Sequence, residues 1–284
     1  MNKADSMNKL DNISKPDTIN RTDKLFIPFI SAGYPNLQIT KEIILECNHL
    51  KIPYLELGIP YSDPVADGPT IQKASEIALA NGTNLDQIFN MLERLPHPLT
   101  SKLIIFSYYN PLFTYGFQRF CERCKKTGVY GVLIPDLPVE EESEVLDYMS
   151  SSELVLIPLV APTSVERLEI ILNHKERGFI YCVSSLGVTG ERQQFNANLE
   201  QFIGQIRAVS DLPIAIGFGI SNREQAEQLG AIADGVVVGS KIINIITEAL
   251  QNHPQQPGES INDQAEKVAR YVRKQLETLC PYQY

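Results

Sequence analysis

Three carboxylates stand close together in LELGIPYSDPVADGPTIQ, residues 55–72: Glu56, Asp63 and Asp67. Glu56 lies inside an apolar run that reads as a strand, where side chains alternate between faces. Leu55, Leu57 and Ile59 share one face; Tyr54, Glu56 and Gly58 share the other. A carboxyl on an interior face loses hydration in its charged form, so its pKa rises. Such a group can hold and return a proton near neutral pH. The competing role is a Glu paired with an internal cation, and no strand interior supplies an obvious one.

Asp67 follows in PVADGPT. A D-G-P string by itself reads as a turn in which Asp bonds its own backbone. Prolines 60, 64 and 69 stiffen this loop, so it can also hold a carboxylate at a fixed place over a site. Asp63, in SDP, reads as structural.

A second group of residues is glycine-rich and lies late in the chain: SSLGVTGERQQF (184–195), GFGIS (217–221) and GSK (239–241). Each opens toward a helical pattern. Glycine lets a ligand approach the backbone, and helix N-termini offer free N–H groups to an anion. Together the two groups suggest a phosphorylated small molecule whose other end meets Glu56 and Asp67. Phe29, Phe106, Leu133 and Phe218, at strand ends, could wall an apolar portion of it.

Elements of regular spacing must position these residues. Eight short apolar runs recur: 25–31, 54–59, 102–107, 130–135, 154–160, 179–184, 213–218 and 234–239. Amphipathic patterns fall between them, at 40–50, 139–151, 164–174 and 221–230 among others. Strands separated by helices imply βαβ units and a parallel sheet. Eight units in about 250 residues suggest a (β/α)8 barrel, with a doubly wound sheet as competitor. The gap between the second and third strands is the longest and carries a helical pattern at 71–80. An insertion there lies at the C-terminal face, where barrel sites are built. NHPQQPGES (252–260) reads as a linker to a last docked helix, 264–279. The layout is one domain, 24–280, behind a tail, 1–23.

That tail repeats with a period of six (NKADSM, NKLDNI, SKPDTI, NRTDKL) and reads as a solvated, disordered low-complexity segment. It has no apolar core of a secretory signal. A net charge of −9 argues against nucleic acid as a general partner. No run approaches the roughly 18 apolar residues of a membrane helix. Five scattered cysteines fit reduced thiols and a cytoplasmic protein. Cys121 and Cys124 form one C-x-x-C with no second pair, and the four histidines lie apart from one another, so no metal site is visible. Strand ends lack a Schiff-base lysine, and there is no P-loop or nucleophile elbow.

The strings LELGIPYSDPVADGPTIQKA, IIFSYYNPLF, GVLIPDLPVEEE, VSSLGVTGER, IAIGFGIS and ADGVVVGS, in this order, resemble tryptophan synthase alpha chains over about residues 24–250. The resemblance implies a TIM barrel that cleaves indole-3-glycerol phosphate to indole and glyceraldehyde 3-phosphate with no cofactor of its own. It implies Glu56 as the acid–base and Asp67 as the carboxylate that accepts the indole N–H. It places Phe29, Tyr181, Thr189, Gly190, Phe218, Gly219, Gly239 and Ser240 around the substrate. It also implies a beta chain that carries PLP, receives indole through a tunnel and assembles as an α2β2 heterotetramer, with Asp63, Asp136 and Pro138 on the alpha side of the contact. Tyr34 departs from the family, where Asp is common, and touches the first loop and this contact. A stand-alone indole-releasing lyase, or a regulatory subunit with little turnover, are the alternatives.

Overall fold

The computed structural model describes residues 24–149, 152–183, 192–217 and 219–284. The N-terminal repeat, with its expected disorder, and residues 184–191 of the loop at 184–195 lie outside these residues. The elements run β1 Leu25–Ser31, α1 Leu37–His49, β2 Tyr54–Gly58, α2 Pro69–Ala80, α3 Leu85–Leu92, β3 Lys102–Phe106, α4 Tyr109–Tyr115, α5 Phe117–Thr127 and β4 Gly131–Leu133. They continue α6 Glu142–Met149, β5 Val155–Leu156, β6 Leu159–Val160, α7 Leu168–Leu172, β7 Ile180–Val183, α8 Arg192–Val209, β8 Ile214–Gly217, α9 Arg223–Ile232, β9 Gly235–Val238, α10 Ser240–Asn252 and α11 Ile261–Leu279.

All pairings are parallel, in the order β5-β4-β3-β2-β1-β9-β8-β7-β6. β5 and β6 are two halves of one chain pass, broken at Ile157 and Pro158 because proline has no N–H for the ladder. Ile157 N–H donates to the Val132 carbonyl at 2.8 Å, and the Pro158 carbonyl accepts from Tyr181 N–H at 2.9 Å. The two ends of the sheet therefore meet in a single pass. The eight expected strands are present as a closed (β/α)8 barrel, the fifth split in two.

Strand alternation sorts the core. Leu25, Ile27, Phe29, Tyr54, Ile104, Phe106, Ile157 and Phe179 pack inside the barrel. Leu55, Leu57, Ile59, Leu103 and Ile105 pack outward with helix residues such as Ile43, Phe89 and Val268. Glu56 is on the inner face, as the alternation predicts.

Helix starts were less legible. α1 begins at Leu37, three residues before the expected start, because the Asn36 side chain accepts from Ile39 N–H as its N-cap. Asn84, Asn222 and Ser260 cap α3, α9 and α11 in the same way. Tyr34, the departure from the family, is buried, and its hydroxyl bonds Thr247 of α10 at 2.8 Å. It braces the first loop from inside. Cys121 and Cys124 are buried on α5 as free thiols.

At the lower end of the barrel the Tyr284 hydroxyl accepts from Phe26 N–H at 2.7 Å and donates to the Lys24 carbonyl at 3.1 Å. β1 pairs with β2 only from Phe29 onward, so Tyr284 satisfies a strand group that β2 does not reach. Tyr284→Phe should cost about 1–2 kcal/mol. A melting curve should then fall by roughly 2–4 °C per kcal/mol; an unchanged midpoint would show that water replaces the hydroxyl.

Candidate active site

Parallel strands aim their C-terminal ends at one mouth, and a cavity of about 250 Å³ opens there. Phe29 of β1, Phe106 of β3, Tyr181 of β7, and Gly219, Gly239 and Ser240 line it together with Asp67. Seven residues expected at the site thus line one cavity. Leu133 is fully buried and is not part of that wall. Thr189, Gly190 and Phe218 lie outside the described residues.

Glu56 sits in register beside Phe29, one strand over. It is completely inaccessible, and neither carboxyl oxygen has a hydrogen-bond partner. Burial therefore pushes its pKa up from 4.5 to about 8. Below that pH it is a neutral acid in an apolar setting. Tyr181 is close enough that burial and then the charges of Glu56 and Asp67 push its phenol well above the usual range. It is an uncharged hydroxyl at any working pH.

A cation does lie inside the barrel, contrary to the expectation. Lys102 opens β3 in register with Tyr54, one layer below Glu56 and Ile104. Its ammonium rests 4.6 Å from the centre of the Tyr130 ring and 5.8 Å from that of Tyr54. It does not enter the environment that sets the Glu56 pKa.

Two glycines make room for the aromatic walls. A Cβ on Gly217 would stand 2.5 Å from the Tyr181 hydroxyl oxygen, and one on Gly58 would stand 2.4 Å from the Phe29 ring. Gly217→Ala must therefore displace Tyr181. A shift of that size costs on the order of a hundredfold in rate. The expected result is a large fall in kcat/KM for the reaction housed in this cavity; wild-type kinetics would remove Tyr181 from the site.

Asp67 hangs from the loop between β2 and α2, which begins with Pro69 at its first turn. Its carbonyl accepts from Gln72 Nε2 at 2.8 Å. Tyr108, just after β3, holds the loop: its hydroxyl accepts from Ala66 N–H at 2.9 Å and bonds the Asp67 carboxylate. Burial raises the Asp67 pKa, while the Tyr108 bond lowers it. The sequence reading missed Tyr108. Its only signal was a polar aromatic directly after a strand, in IIFSYYNPLF.

The opposite wall suits an anion. α10 has no side-chain cap; Gly239 precedes it and Ser240 opens it, both in the cavity wall. The first N–H groups of such a helix lack internal partners and carry the positive end of its dipole. The α9 terminus is already capped by Asn222, so α10 is the freer one.

Outside the cavity, Asp63 is exposed and bonded by Ser62, and Asp136 accepts the Tyr109 N–H at 2.9 Å. Pro138 precedes the short 3-10 turn Val139–Glu141 that leads into α6. Among the described residues no group of His, Cys, Asp and Glu could hold a metal ion. No described helix is long and apolar enough to cross a membrane.

The family model for the tryptophan synthase alpha chain matches residues 17–273. The alpha chain of Alkaliphilus metalliredigens is 42% identical over 255 residues, spanning 90% of this chain and 92% of that one. That of Shouchella clausii is 43% identical over 259 residues, spanning 91% and 95%. Among solved structures, a chain of the tryptophan synthase α2β2 complex from Pyrococcus furiosus superposes with a TM-score of 0.77 at 32% identity, covering 91% of this chain and 98% of that one. The alpha subunit from Campylobacter jejuni gives 0.75 at 31%, covering 88% and 96%. With this match over most of its length, in a chain folded as a parallel barrel, the chain belongs to the tryptophan synthase alpha chain family.

Proposed function

We propose that Glu56 and Asp67 carry out the lyase reaction of this family, cleavage of indole-3-glycerol phosphate to indole and glyceraldehyde 3-phosphate in tryptophan biosynthesis. The observation behind this is a fully buried, unpartnered carboxyl with a pKa of about 8, beside a cavity that has a second carboxylate on one side and an uncapped helix on the other.

The phosphate docks on Gly219, Gly239 and the α10 N-terminus at Ser240. The indole ring lies against Phe29, and its N–H points to Asp67. Glu56, protonated at neutral pH, delivers its proton to indole C3. Positive charge then develops over the ring, and the Asp67 carboxylate stabilises it. The Glu56 carboxylate takes the proton from the hydroxyl on the carbon bonded to C3. That carbon becomes the aldehyde as the carbon–carbon bond breaks, and the bond pair returns to the ring. One proton is given and one is taken, so the catalyst is restored without a cofactor. Tyr181 packs beside Glu56 and keeps the site dry.

The reaction is housed in one domain, 24–280, in the cytoplasm. A beta chain bearing PLP would receive the indole in an α2β2 assembly; the similar Pyrococcus furiosus chain belongs to an α2β2 complex. Asp63, Asp136 and Pro138 would meet it beside two exposed apolar side chains, Val65 at 84% and Phe113 at 63% accessibility. Assay of indole release by the purified chain, with and without a beta chain, tests both parts. Acceleration by the beta chain is expected. No cleavage under either condition would overturn the catalytic reading, and equal rates would overturn the partner.

A further inference from the structure

A smaller cavity of about 140 Å³ adjoins the substrate cavity. Pro135, just after β4, and Leu159 of β6 line both, so these two side chains form the partition between them. The smaller space lies where the fifth pass breaks: Leu156 and Ile157 line it on one side of the break and Leu159 on the other, with Ile171 of α7 beside them. Leu156 and Ile157 are buried. The charged groups at its edge are paired, Arg167 with Glu140 and Glu142 with Lys175. What the recess offers a ligand is therefore apolar volume. A cavity of roughly 150 Å³ can take a benzene ring, so this one has room for a ring substituent.

The strand order decides which end of the substrate meets the partition. The anion-binding residues Gly219, Gly239 and Ser240 follow β8 and β9. With β5 and β6 as one pass, the closed ring sets β3 across from β8 and β4 across from β9. The end of the substrate farthest from its phosphate thus points at Phe106 of β3 and at Pro135, with Leu159 on the neighbouring pass. In indole-3-glycerol phosphate the phosphate chain leaves the ring at C3, and C6 is the ring carbon farthest from C3. A substituent on C6 is the one that reaches the partition.

We propose that Leu159 sets the ring specificity of the lyase reaction: with Pro135 it stops the C6 edge of the indole, and the recess it closes off is a subsite for a substituent there. Pro135 fixes its own backbone, so Leu159 is the half of the partition that can be shortened in place. The inference rests on the lyase reading and adds to it the residue that selects an unsubstituted ring edge.

Steady-state cleavage of indole-3-glycerol phosphate and its 6-chloro and 4-chloro derivatives, by wild type and Leu159→Ala, tests it. C4 lies beside the chain-bearing side of the ring, away from the partition. Comparing each variant with wild type on the same substrate cancels the electronic effect of chlorine. Leu159→Ala should raise kcat/KM for the 6-chloro substrate, relative to the unsubstituted one, by about tenfold, the scale of accommodating one methyl-sized group in an apolar pocket. The 4-chloro ratio should stay where it is. The milder Leu159→Val should move the 6-chloro ratio in the same direction by less. Refilling the recess in Leu159→Ala, Ile171→Phe should abolish the gain, because Ile171 lines the recess and not the substrate cavity. A site that is merely loosened would shift both chloro ratios together and ignore residue 171. An unchanged 6-chloro ratio in both variants, equal gains for the two isomers, or a gain that survives the refilling would each overturn the proposal. Inactivity of wild type toward the unsubstituted substrate would instead overturn the lyase reading, and the subsite with it.

Discussion

Glu56→Gln is expected to abolish indole release while making the protein more stable at alkaline pH. The activity loss follows from the two transfers assigned to one carboxyl. Gln keeps the shape but can neither give a proton to C3 nor take one from the hydroxyl. Each general acid–base contribution is worth about 10² to 10⁴ in rate, so the loss should be at least a thousandfold. Substrate should still bind, because the phosphate and the ring are held elsewhere. Retained turnover would sink the assignment.

The stability gain follows from the same burial. Glu56 has a folded pKa of about 8 against an ordinary value of 4.5. Below 4.5 both states hold the proton and the residue costs nothing. Between those values the unfolded chain releases the proton and the folded one keeps it, so stability falls as pH rises. Above about 8 the full difference is reached, on the order of 5 kcal/mol. Gln carries no such term. Wild type and variant should therefore melt together near pH 5, and at pH 9 the variant should melt higher by on the order of 10 °C. The pairing of lost activity with gained stability separates a functional acid from a structural one. A structural Glu would lose stability on replacement, and a gap that does not widen with pH would mean that Glu56 is not buried as an acid.

The barrel was legible because its signal is periodic. Alternation in YLELG depends on two-residue geometry, and it put Glu56 on the inner face without any tertiary knowledge. The eight strand passes follow from the same rule. Signals at single residues were harder. Asn36, Asn84 and Asn222 set helix starts by one hydrogen bond each, and an asparagine in a loop has many other uses. The split of the fifth pass at Pro158 was visible as a proline in LVLIPLV, but that this break joins the two ends of the sheet depends on which strands lie on either side. Lys102 was missed as a barrel residue because it opens its strand, where a lysine ordinarily reaches solvent. Tyr108 and Asp67 are 41 residues apart and meet only because β2 and β3 are neighbours. No local pattern in the chain records that contact.

That contact makes Asp67 the more demanding prediction. Asp67→Asn should lower kcat by about 10² to 10³, the size of losing one preorganised electrostatic partner in a transition state, and should change KM little. Asn still offers an oxygen to the indole N–H and to the Tyr108 hydroxyl, so the loop and the ground-state contact survive. What it lacks is negative charge when positive charge grows on the ring. An interaction made chiefly in the transition state shows itself in kcat, and a uniform binding contact would show itself in KM. Tyr108→Phe then works on the same carboxylate from behind. The hydroxyl lowers the Asp67 pKa against the rise caused by burial. Its removal leaves burial unopposed, so Asp67 must be taken to higher pH before it ionises. The acid limb of the kcat profile should move up in Tyr108→Phe and flatten in Asp67→Asn. If Asp67→Asn turns over at the wild-type rate, the residue is only the turn that D-G-P would suggest. If the limb stays in place in Tyr108→Phe, the ionisation that governs the acid side belongs to another group.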